Sequence, residues 1–347
     1  MRSNLNKLTV VIPSYNRPTD LIKVINYWAE IENVKVIVLD GSEKSLDKDT
    51  IKKFKKKIKY LNLRGISQVR RIFLSKKFIK TKYTVMCPDD EIYSPIGIIE
   101  CINHLEKNQT SSCCMGDLVF GFRRRKSGIV FLKMYQTYSS KLKIKSKAKI
   151  DRAIEFMTSR LNRPCMYSVM RSRHYKNLTN FCSDLDKYNC LDIYEMLFDI
   201  YLPYCGKVKV IKTFNWLRNK TDDNEIGNRF TRFHEFWNSK KNYHLKNDLI
   251  KKFIKLLKNK EVDEKLRKLL DFEANNLKFN FRRKLKNTRD PIIKFLKNNV
   301  VPYWIYEPIQ RKRQNELSIN QLNKYLKNNN YNIDKDTINK IDKFTKF

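Results

Sequence analysis

Three adjacent acidic residues are the clearest chemical feature of this chain. Asp89, Asp90 and Glu91 follow the apolar run Tyr83–Cys87, which has the length and composition of a buried strand. Neighbouring carboxylates repel one another, so a semi-buried position at a strand end is unfavourable unless a cation lies among them. The acidic cluster therefore predicts a bound divalent metal ion, with a solvent-exposed acidic loop as the alternative.

A polar turn near the N-terminus is the second such feature. The apolar run Leu8–Ile12 stops at Pro13 and is followed by Ser-Tyr-Asn-Arg at positions 14–17. A strand that ends in polar residues is the usual way in which an α/β sheet presents side chains to a ligand. We therefore expect the turn and the acidic cluster to face one site.

A second group of acids, with helical spacing, is the third chemical feature of the chain. Asp192, Glu195 and Asp199 lie at positions i, i+3 and i+7 of an apolar segment, so one face of a helix could present all three. A carboxylate in such a place can accept a proton from a reacting hydroxyl group. An ordinary solvent-facing acidic stripe is the alternative.

The elements that must position these residues predict an α/β fold. Apolar residues recur at helical spacing between Pro18 and Trp28, and the apolar run Val34–Leu39 then ends at Asp40. A right-handed β-α-β crossover makes the two strands parallel and brings both carboxyl ends to one edge of the sheet. From residue 236 the pattern changes to Lys-rich amphipathic helices. We therefore predict a domain over 1–235 and a helical region over 236–347.

The charge of the chain is strongly basic. Its 73 Lys and Arg residues against 36 Asp and Glu residues give a net charge of +37. Such a charge attracts polyanions such as nucleic acid, an anionic membrane or phosphorylated glycans. Frequent Lys, Asn and Ile residues favour a compositional bias instead, with attraction to an acidic membrane as a side effect. The basic helical region would hold the protein at such a membrane or pair two subunits into a homo-oligomer.

The cysteines and the N-terminus bear on the compartment. The eight cysteines have no C-x-x-C spacing and the four histidines no metal-ligand spacing, which argues against zinc and for a reduced compartment. No apolar signal segment precedes the first strand, and no stretch approaches the roughly 18 to 20 apolar residues of a membrane span. We expect a protein that is either cytosolic or peripheral on the inner membrane face.

Taken together, the motifs resemble those of family 2-like glycosyltransferases with the GT-A fold, in particular a bacterial subgroup associated with surface polysaccharides. Over residues 7–220 the strong matches are Thr9–Pro18, Val38–Ser42 and Thr81–Glu91, and the weaker ones are Tyr167–Arg171, Tyr194–Leu197 and Trp216–Arg218. Three strong motifs in this order make the resemblance specific. It implies a Rossmann-like mixed sheet flanked by helices, and it does not cover the basic C-terminal helices.

The resemblance implies a site for a nucleotide-sugar donor. Asp40 would accept hydrogen bonds from the base, with a surface turn as the alternative for this residue. Arginine side chains would meet the phosphates, because a forked guanidinium group suits phosphate oxygens. Arg71, next to Arg70, could do the same. The donor-binding residues are then Pro13, Tyr15, Asn16, Arg17, Asp40, Arg70, Asp89 and Arg218.

The resemblance also implies a metal ion and a catalytic base. The acidic cluster matches the family's Asp-x-Asp motif, so Mn²⁺ or Mg²⁺ held by Asp90 and Glu91 would bridge the two phosphates of the donor. Glu91 stands where the subgroup usually has Asp, which displaces its carboxylate by one methylene. An inverting transfer needs a base that accepts the proton of the acceptor hydroxyl, and the motif favours Glu195, then Asp192.

We therefore predict a metal-dependent, inverting glycosyltransferase that moves a sugar from a nucleotide-sugar donor to a glycan or lipid-linked acceptor in surface polysaccharide assembly. The alternative is a non-catalytic protein on a degenerate transferase fold that binds nucleic acid or an anionic membrane through its charge. No recognisable nucleic-acid motif supports that alternative, so no nucleic-acid partner is expected. A nucleotidyltransferase is a further alternative, although the chain has only 8 glycines and no Gly-rich phosphate loop.

Overall fold

The structure is a computed structural model that describes residues 2–123, 130–136, 142, 144–159, 165–220, 231–288 and 319–346. A mixed β-sheet flanked by helices forms its centre, which confirms the predicted α/β class. The strands are β1 (Leu8–Ser14), β2 (Lys35–Asp40), β3 (Ile58–Asn62), β4 (Tyr83–Met86), β5 (Ile92–Tyr93), β6 (Ser111–Arg123), β7 (Val130–Gln136), β8 (Val169–Arg171) and β9 (Lys207–Lys220). Their order is β3-β2-β1-β4-β8-β6-β9-β5, and β7 pairs with β6.

Helices connect and cover the strands. The α-helices are α1 (Pro18–Ala29), α2 (Lys48–Phe54), α3 (Gln68–Ser75), α4 (Pro95–Lys107), α5 (Lys149–Thr158), α6 (Ser172–Thr179), α7 (Leu191–Cys205), α8 (Phe233–Asn238), α9 (Tyr243–Leu257), α10 (Asp263–Thr288), α11 (Ile319–Asn328) and α12 (Lys335–Lys346). Short 3₁₀-helices cover Arg2–Lys7, Lys76–Phe78, Cys165–Tyr167, Cys182–Tyr188, Lys240–Asn242 and Lys260–Val262.

The parallel half of the sheet brings the predicted chemical residues to one edge. β1 pairs in parallel with β2 and β4, and the register places Ser14 opposite Asp40 and Val11 opposite Met86. The apolar residues of β1 and β2 form the centre of the buried core, which explains why both strands are nearly continuous apolar runs. The polar turn, Asp40 and the acidic cluster therefore leave the sheet at neighbouring carboxyl ends.

Local sequence fixes the helices that follow these strands. Pro18 opens α1 at the position where its missing N–H is not needed. The hydroxyl oxygen of Ser67 accepts a hydrogen bond from the Arg70 N–H and so caps α3, and Ser94 caps α4 in the same way at Gly97. These caps set where α3 and α4 begin relative to the strand ends.

The second half of the sheet has strands that are hard to recognise in the sequence. β8 begins only at Val169, because Cys165–Tyr167 form a 3₁₀-turn before it. β9 continues to residue 220 and pairs in parallel with β6 and antiparallel with β5. The buried polar residues Thr213 and Asn215 interrupt the apolar pattern of β9.

The described C-terminal helices pack on the sheet domain. Lys343 of α12 forms an ion pair with Glu30 at 2.6 Å, and the buried hydroxyl of Tyr331 donates to Asp117 on β6 at 2.7 Å. The boundary between 1–235 and 236–347 stays a prediction. Of the helices described, none has both the length and the apolar character needed to cross a membrane.

Candidate functional site

Asp89 and Asp90 meet the side chain of Arg17 at the carboxyl ends of β1 and β4. The guanidinium Nη1 lies 3.0 Å from Asp89 Oδ1, and Nη2 lies 3.0 Å from Asp90 Oδ2 and 3.1 Å from Asp20 Oδ2. The Ser14 hydroxyl donates to the other oxygen of Asp89 at 2.7 Å. The polar turn and two members of the acidic cluster therefore form one site, as the sequence predicted.

The charges of this site favour the binding of a further cation. Burial raises the pKa of Asp89 to about 7, an effect that Arg17 opposes and Asp90 increases. Burial also raises the pKa of Asp90, again against the charge of Arg17. For Arg17 burial lowers the pKa, but the charges of Asp90 and Asp89 outweigh it, so the net shift is upward. One guanidinium thus compensates its acidic neighbours only in part.

Glu91 turns away from the other two acids. Its Oε2 accepts a hydrogen bond from Trp216 Nε1 at 2.6 Å, and its Oε1 lies 3.1 Å from Arg218 Nε. The Trp216 ring is stacked on Tyr93, with centroids 5.9 Å apart and an interplanar angle of 3°. Burial raises the pKa of Glu91 well above its usual range, and the charge of Arg218 opposes this shift. In this geometry both Glu91 oxygens are bonded within the protein.

The donor set limits how a metal ion could be held. In the part of the chain that the structure describes, no three His, Cys, Asp or Glu side chains are grouped to hold a metal ion. Asp89 and Asp90 do offer two neighbouring carboxylates of the hard-oxygen type that Mg²⁺ and Mn²⁺ take, and both ions bind through one or two carboxylates together with substrate phosphates. The residues therefore fit an ion shared with a diphosphate. They do not fit one that includes Glu91 as a ligand.

Asp40 ends β2 and is buried. Its Oδ1 accepts hydrogen bonds from the backbone N–H of Ser42, at 2.9 Å, and from the Ser42 hydroxyl. Its Oδ2 accepts one from the Tyr60 hydroxyl at 2.5 Å. Burial, followed by this bond, raises the pKa of Tyr60 to about 12. Neither Ser42 nor Tyr60 was predicted as a partner of Asp40, although Tyr60 lies on β3, the strand paired with β2.

The remaining predicted residues of the polar turn lie beside Asp40. Pro13 is half-buried and stands opposite Leu39 in the β1–β2 register. Asn16 has a positive φ of 53°, which Asn tolerates better than most residues, and its backbone N–H donates to the Ser42 hydroxyl oxygen at 2.8 Å. The Tyr15 ring centroid lies 6.0 Å from Arg71 Cζ.

Arg71, rather than Arg70, points into the strand ends. Arg71 is buried and its Nη1 donates to the carbonyl oxygens of Ser14 and Leu39, the latter at 2.8 Å, whereas Arg70 is exposed. A Cβ atom on Gly41 would lie 2.4 Å from Arg71 Cζ, so only glycine leaves room for the guanidinium there. Of the two arginines, Arg71 is therefore the one at the strand ends, and the donor-binding role of Arg70 stays a prediction.

The three acids of α7 have different surroundings. Asp192 Oδ2 accepts a hydrogen bond from the Phe233 N–H at 2.9 Å, at the start of α8, and Asp199 is buried. Glu195 is half-buried, and its charge acts on Arg218 and Tyr167. Burial lowers the pKa of Arg218, but the charges of Glu91, Tyr167, Glu195 and Asp90 together raise it. Glu195 is thereby linked electrostatically to Arg218, the ion-pair partner of Glu91.

Comparison with known proteins agrees with this architecture. Residues 9–163 match the model of glycosyl transferase family 2. These residues include β1, β2, the acidic cluster and β6. This match confirms, over these residues, the resemblance to family 2 glycosyltransferases that the motifs predict, and the mixed sheet with its flanking helices agrees with the predicted fold class.

Solved structures with low similarity were also found. One is S. aureus TarS 1–349 in complex with UDP-GlcNAc, with a TM-score of 0.47 and 12% identity over 72% of this chain and 66% of that chain. Another is the mannosyltransferase PcManGT from Pyrobaculum calidifontis with GDP-Man and Mn²⁺, with a TM-score of 0.27 and 11% identity over 31% and 34% of the two chains. The chain spans less than two thirds of both structures. No curated protein matches it.

Proposed function

We propose that the protein transfers a sugar, with inversion, from a nucleotide-sugar donor to a hydroxyl group of a glycan or lipid-linked acceptor, and that it needs Mn²⁺ or Mg²⁺. The surface polysaccharide pathway is part of this proposal. The observation that supports it most is the geometry at the strand ends, where Arg17 lies 3.0 Å from both Asp89 and Asp90 and Arg218 lies 3.1 Å from Glu91. Guanidinium groups suited to a diphosphate thereby lie beside carboxylates suited to a metal ion.

The donor would bind across the strand ends. The nucleoside would lie by the polar turn and Asp40, where the Arg71 guanidinium and the Tyr15 ring already line the sheet edge. The diphosphate would lie between Arg17 and Arg218. Both guanidinium groups are partly exposed and can form paired hydrogen bonds to phosphate oxygens.

Asp89 and Asp90 would hold the metal ion together with the phosphates. When bound, such an ion neutralises the charge that develops on the departing diphosphate. The Ser14 hydroxyl orients the Asp89 carboxylate through its hydrogen bond to Oδ2. In this proposal Glu91 has a different task, because its carboxylate fixes Trp216 and Arg218 rather than the ion.

Glu195 would act as the general base. It would accept the proton of the acceptor hydroxyl while that oxygen bonds to the anomeric carbon and the bond from this carbon to the phosphate oxygen breaks. The nucleoside diphosphate then leaves from the opposite face of the sugar, and a single displacement of this kind inverts the configuration. Arg218 lies near both ends of the reaction, so its charge can hold the leaving diphosphate while Glu195 remains ionised.

Localisation is a separate part of the proposal. We expect the net charge of +37 to hold the protein at the anionic inner face of a membrane. Sedimentation with phosphatidylglycerol vesicles tests this. Binding should decrease steeply as salt rises, and no binding at low ionic strength would contradict it.

A binding screen tests the donor and metal assignments. The full chain is titrated with UDP- and GDP-sugars, with and without Mn²⁺, by thermal shift and calorimetry. Asp90→Asn should weaken donor binding in Mn²⁺ by about 10- to 100-fold, because one contact to a charged group contributes roughly 1.5–3 kcal/mol. The control Asp49→Asn changes an exposed aspartate on α2 and should bind like the wild type.

The outcome that overturns the proposal is equally specific. Binding of no nucleotide sugar, together with tight and sequence-independent binding of DNA, would favour the polyanion-binding alternative. If the donor binds equally well with and without Mn²⁺, the proposed metal dependence is refuted and the proposed donor site is retained. Asp90→Asn binding as tightly as the wild type would place the metal ligand elsewhere.

A further inference from the structure

Arg17 occupies the space between the two carboxylates that are best placed for a metal ion. Its Nη1 bonds Asp89 Oδ1 and its Nη2 bonds Asp90 Oδ2, both at 3.0 Å. The Ser14 hydroxyl takes the second oxygen of Asp89 at 2.7 Å. The guanidinium therefore uses the Asp89 oxygen that faces Asp90, which is also the oxygen that an ion shared by the two acids would use.

A guanidinium and a divalent ion cannot use these oxygens together. Both are cations, and they would lie within a few ångströms of one another at a site that is largely shielded from water. Arg17 must therefore leave Asp89 and Asp90 before both can ligate an ion. The side chain has freedom to do so, because it is 24% exposed and also contacts the partly exposed Asp20.

A diphosphate can bind the displaced Arg17 side chain. It presents several anionic oxygens in a geometry that suits both N–H groups of the guanidinium fork, and phosphate is bound at least as well as carboxylate. Arg17 lies at the start of α1, beside the strand ends where the proposed donor would bind. Its side chain can therefore move from carboxylate to phosphate without a change in the backbone.

We propose that Arg17 is an internal cation that exchanges with the metal ion. Without donor it bridges Asp89 and Asp90. When the nucleotide diphosphate arrives, Arg17 moves to the phosphates and leaves the two carboxylates to the ion. The protein therefore binds the metal ion only together with the nucleotide. This inference rests on the proposed function, since it requires a diphosphate-containing ligand.

Binding measurements on the full chain test the exchange. Mn²⁺ alone, and Mn²⁺ with UDP or GDP, are titrated by electron paramagnetic resonance and calorimetry into the wild type, Arg17→Gln and Arg17→Lys. Wild type should bind Mn²⁺ weakly without nucleotide, and Arg17→Gln should bind it about tenfold or more tightly than wild type. With Mn²⁺ saturating, the same variant should bind the nucleotide about tenfold or more weakly.

Two further variants keep the result interpretable. Arg17→Lys retains the charge but cannot bridge two carboxylates, so it should lie between wild type and Arg17→Gln, and it serves if Arg17→Gln does not fold. Arg64→Gln removes an exposed arginine that pairs with Glu43 at 3.4 Å, and it should behave as wild type in both titrations.

Two results would overturn the inference alone, and they can be told apart from failure of the proposed function. Wild type that binds Mn²⁺ alone as tightly as Arg17→Gln excludes competition by the guanidinium. Arg17→Gln with unchanged nucleotide affinity excludes transfer to the phosphates. In both cases wild type still binds nucleotide with Mn²⁺, so the proposed function stands. If wild type binds neither UDP nor GDP, nor any nucleotide sugar, both fail.

Discussion

Replacement of Glu195 by Gln tests which carboxylate of α7 is the general base. The change keeps the size of the side chain and removes its ability to accept a proton at neutral pH. Glu195 is half-buried near Arg218 and Tyr167, whereas Asp192, one turn earlier on the same helix, binds the backbone of Phe233. The two acids therefore allow a comparison between a residue at the site and one that supports the fold.

The expected effects on rate and stability are opposite for the two residues. Loss of a general base lowers the rate of the chemical step by about 100- to 10,000-fold, which corresponds to roughly 2.7–5.5 kcal/mol of transition-state stabilisation. Glu195→Gln is partly exposed and isosteric, so the free energy of unfolding should change by less than about 1 kcal/mol.

Asp192→Ala should show the reverse pattern. Asp192 accepts a hydrogen bond from the first N–H of α8 at 2.9 Å, which makes it a cap supplied by another helix. Loss of a capping side chain costs about 0.5–2 kcal/mol, so the free energy of unfolding should fall by that amount while the rate per folded molecule stays near that of the wild type.

A single-turnover assay separates chemistry from binding. The enzyme is in excess over a donor taken from the binding screen, and a mixed glycan and lipid-linked preparation supplies the acceptor. Formation of nucleoside diphosphate is followed after a rapid quench, and urea unfolding gives the stability. Glu195→Gln that keeps the wild-type rate, together with Asp192→Ala that is folded but slow, would refute the assignment and make Asp192 the base. Donor affinity should be unchanged in both variants.

The remaining predictions concern stability. Burial lowers the pKa of His174 from 6.5 to about 4. Between these pH values the unfolded chain therefore binds a proton at this residue that the native chain does not. The free energy of unfolding should fall by about 3 kcal/mol as the pH is lowered from 6.5 to 4. In urea titrations at a series of pH values, the free energy of unfolding should decrease less for His174→Gln than for the wild type. The exposed control His244→Gln should show the wild-type decrease, and the same pH dependence for both variants would contradict the prediction. Tyr331→Phe removes the hydroxyl that donates to buried Asp117 at 2.7 Å and should lower the free energy of unfolding by about 1.5–3 kcal/mol. Tyr243→Phe, at a site 65% exposed, is the matched control, and equal stability of both variants would mean that the C-terminal contact contributes nothing.

The sequence predicts the parallel half of the sheet well because each of its strands is a local signal. β1 and β2 are apolar runs that end in polar residues, and a crossover of fixed hand then determines that their carboxyl ends meet. The meeting of the polar turn with the acidic cluster follows from this rule alone. No contact between distant residues has to be known for that step.

The rest of the site depends on long-range contacts that no local pattern encodes. Thr213 and Asn215 are buried polar residues, and only their place beside β6 and α4 explains why β9 continues to carry Trp216 and Arg218 to the site. The sequence also does not show which of Arg70 and Arg71 points to the strand ends. Both flank the apolar face of α3, and Arg71 reaches the strand ends because Gly41 leaves space for its guanidinium group.

The structure also changes the argument from charge that first pointed to a metal ion. Arginine side chains supply the cations that the acidic cluster needs: Arg17 binds Asp89, Asp90 and Asp20, and Arg218 binds Glu91. The fold therefore does not need an ion in order to bury these acids.

A deficit nevertheless remains at the site. At ion-pair distance four carboxylates face two guanidinium groups, and burial, together with the charge of Asp90, raises the pKa of Asp89 to about 7. A diphosphate brings further negative charge to the same place, where the surrounding protein screens charge poorly. The two arginines cannot balance the acids and the phosphates of the proposed donor together, so we expect additional positive charge to enter with that donor. On this argument, we expect the proposed metal ion to bind to the complex with the nucleotide rather than to the free protein.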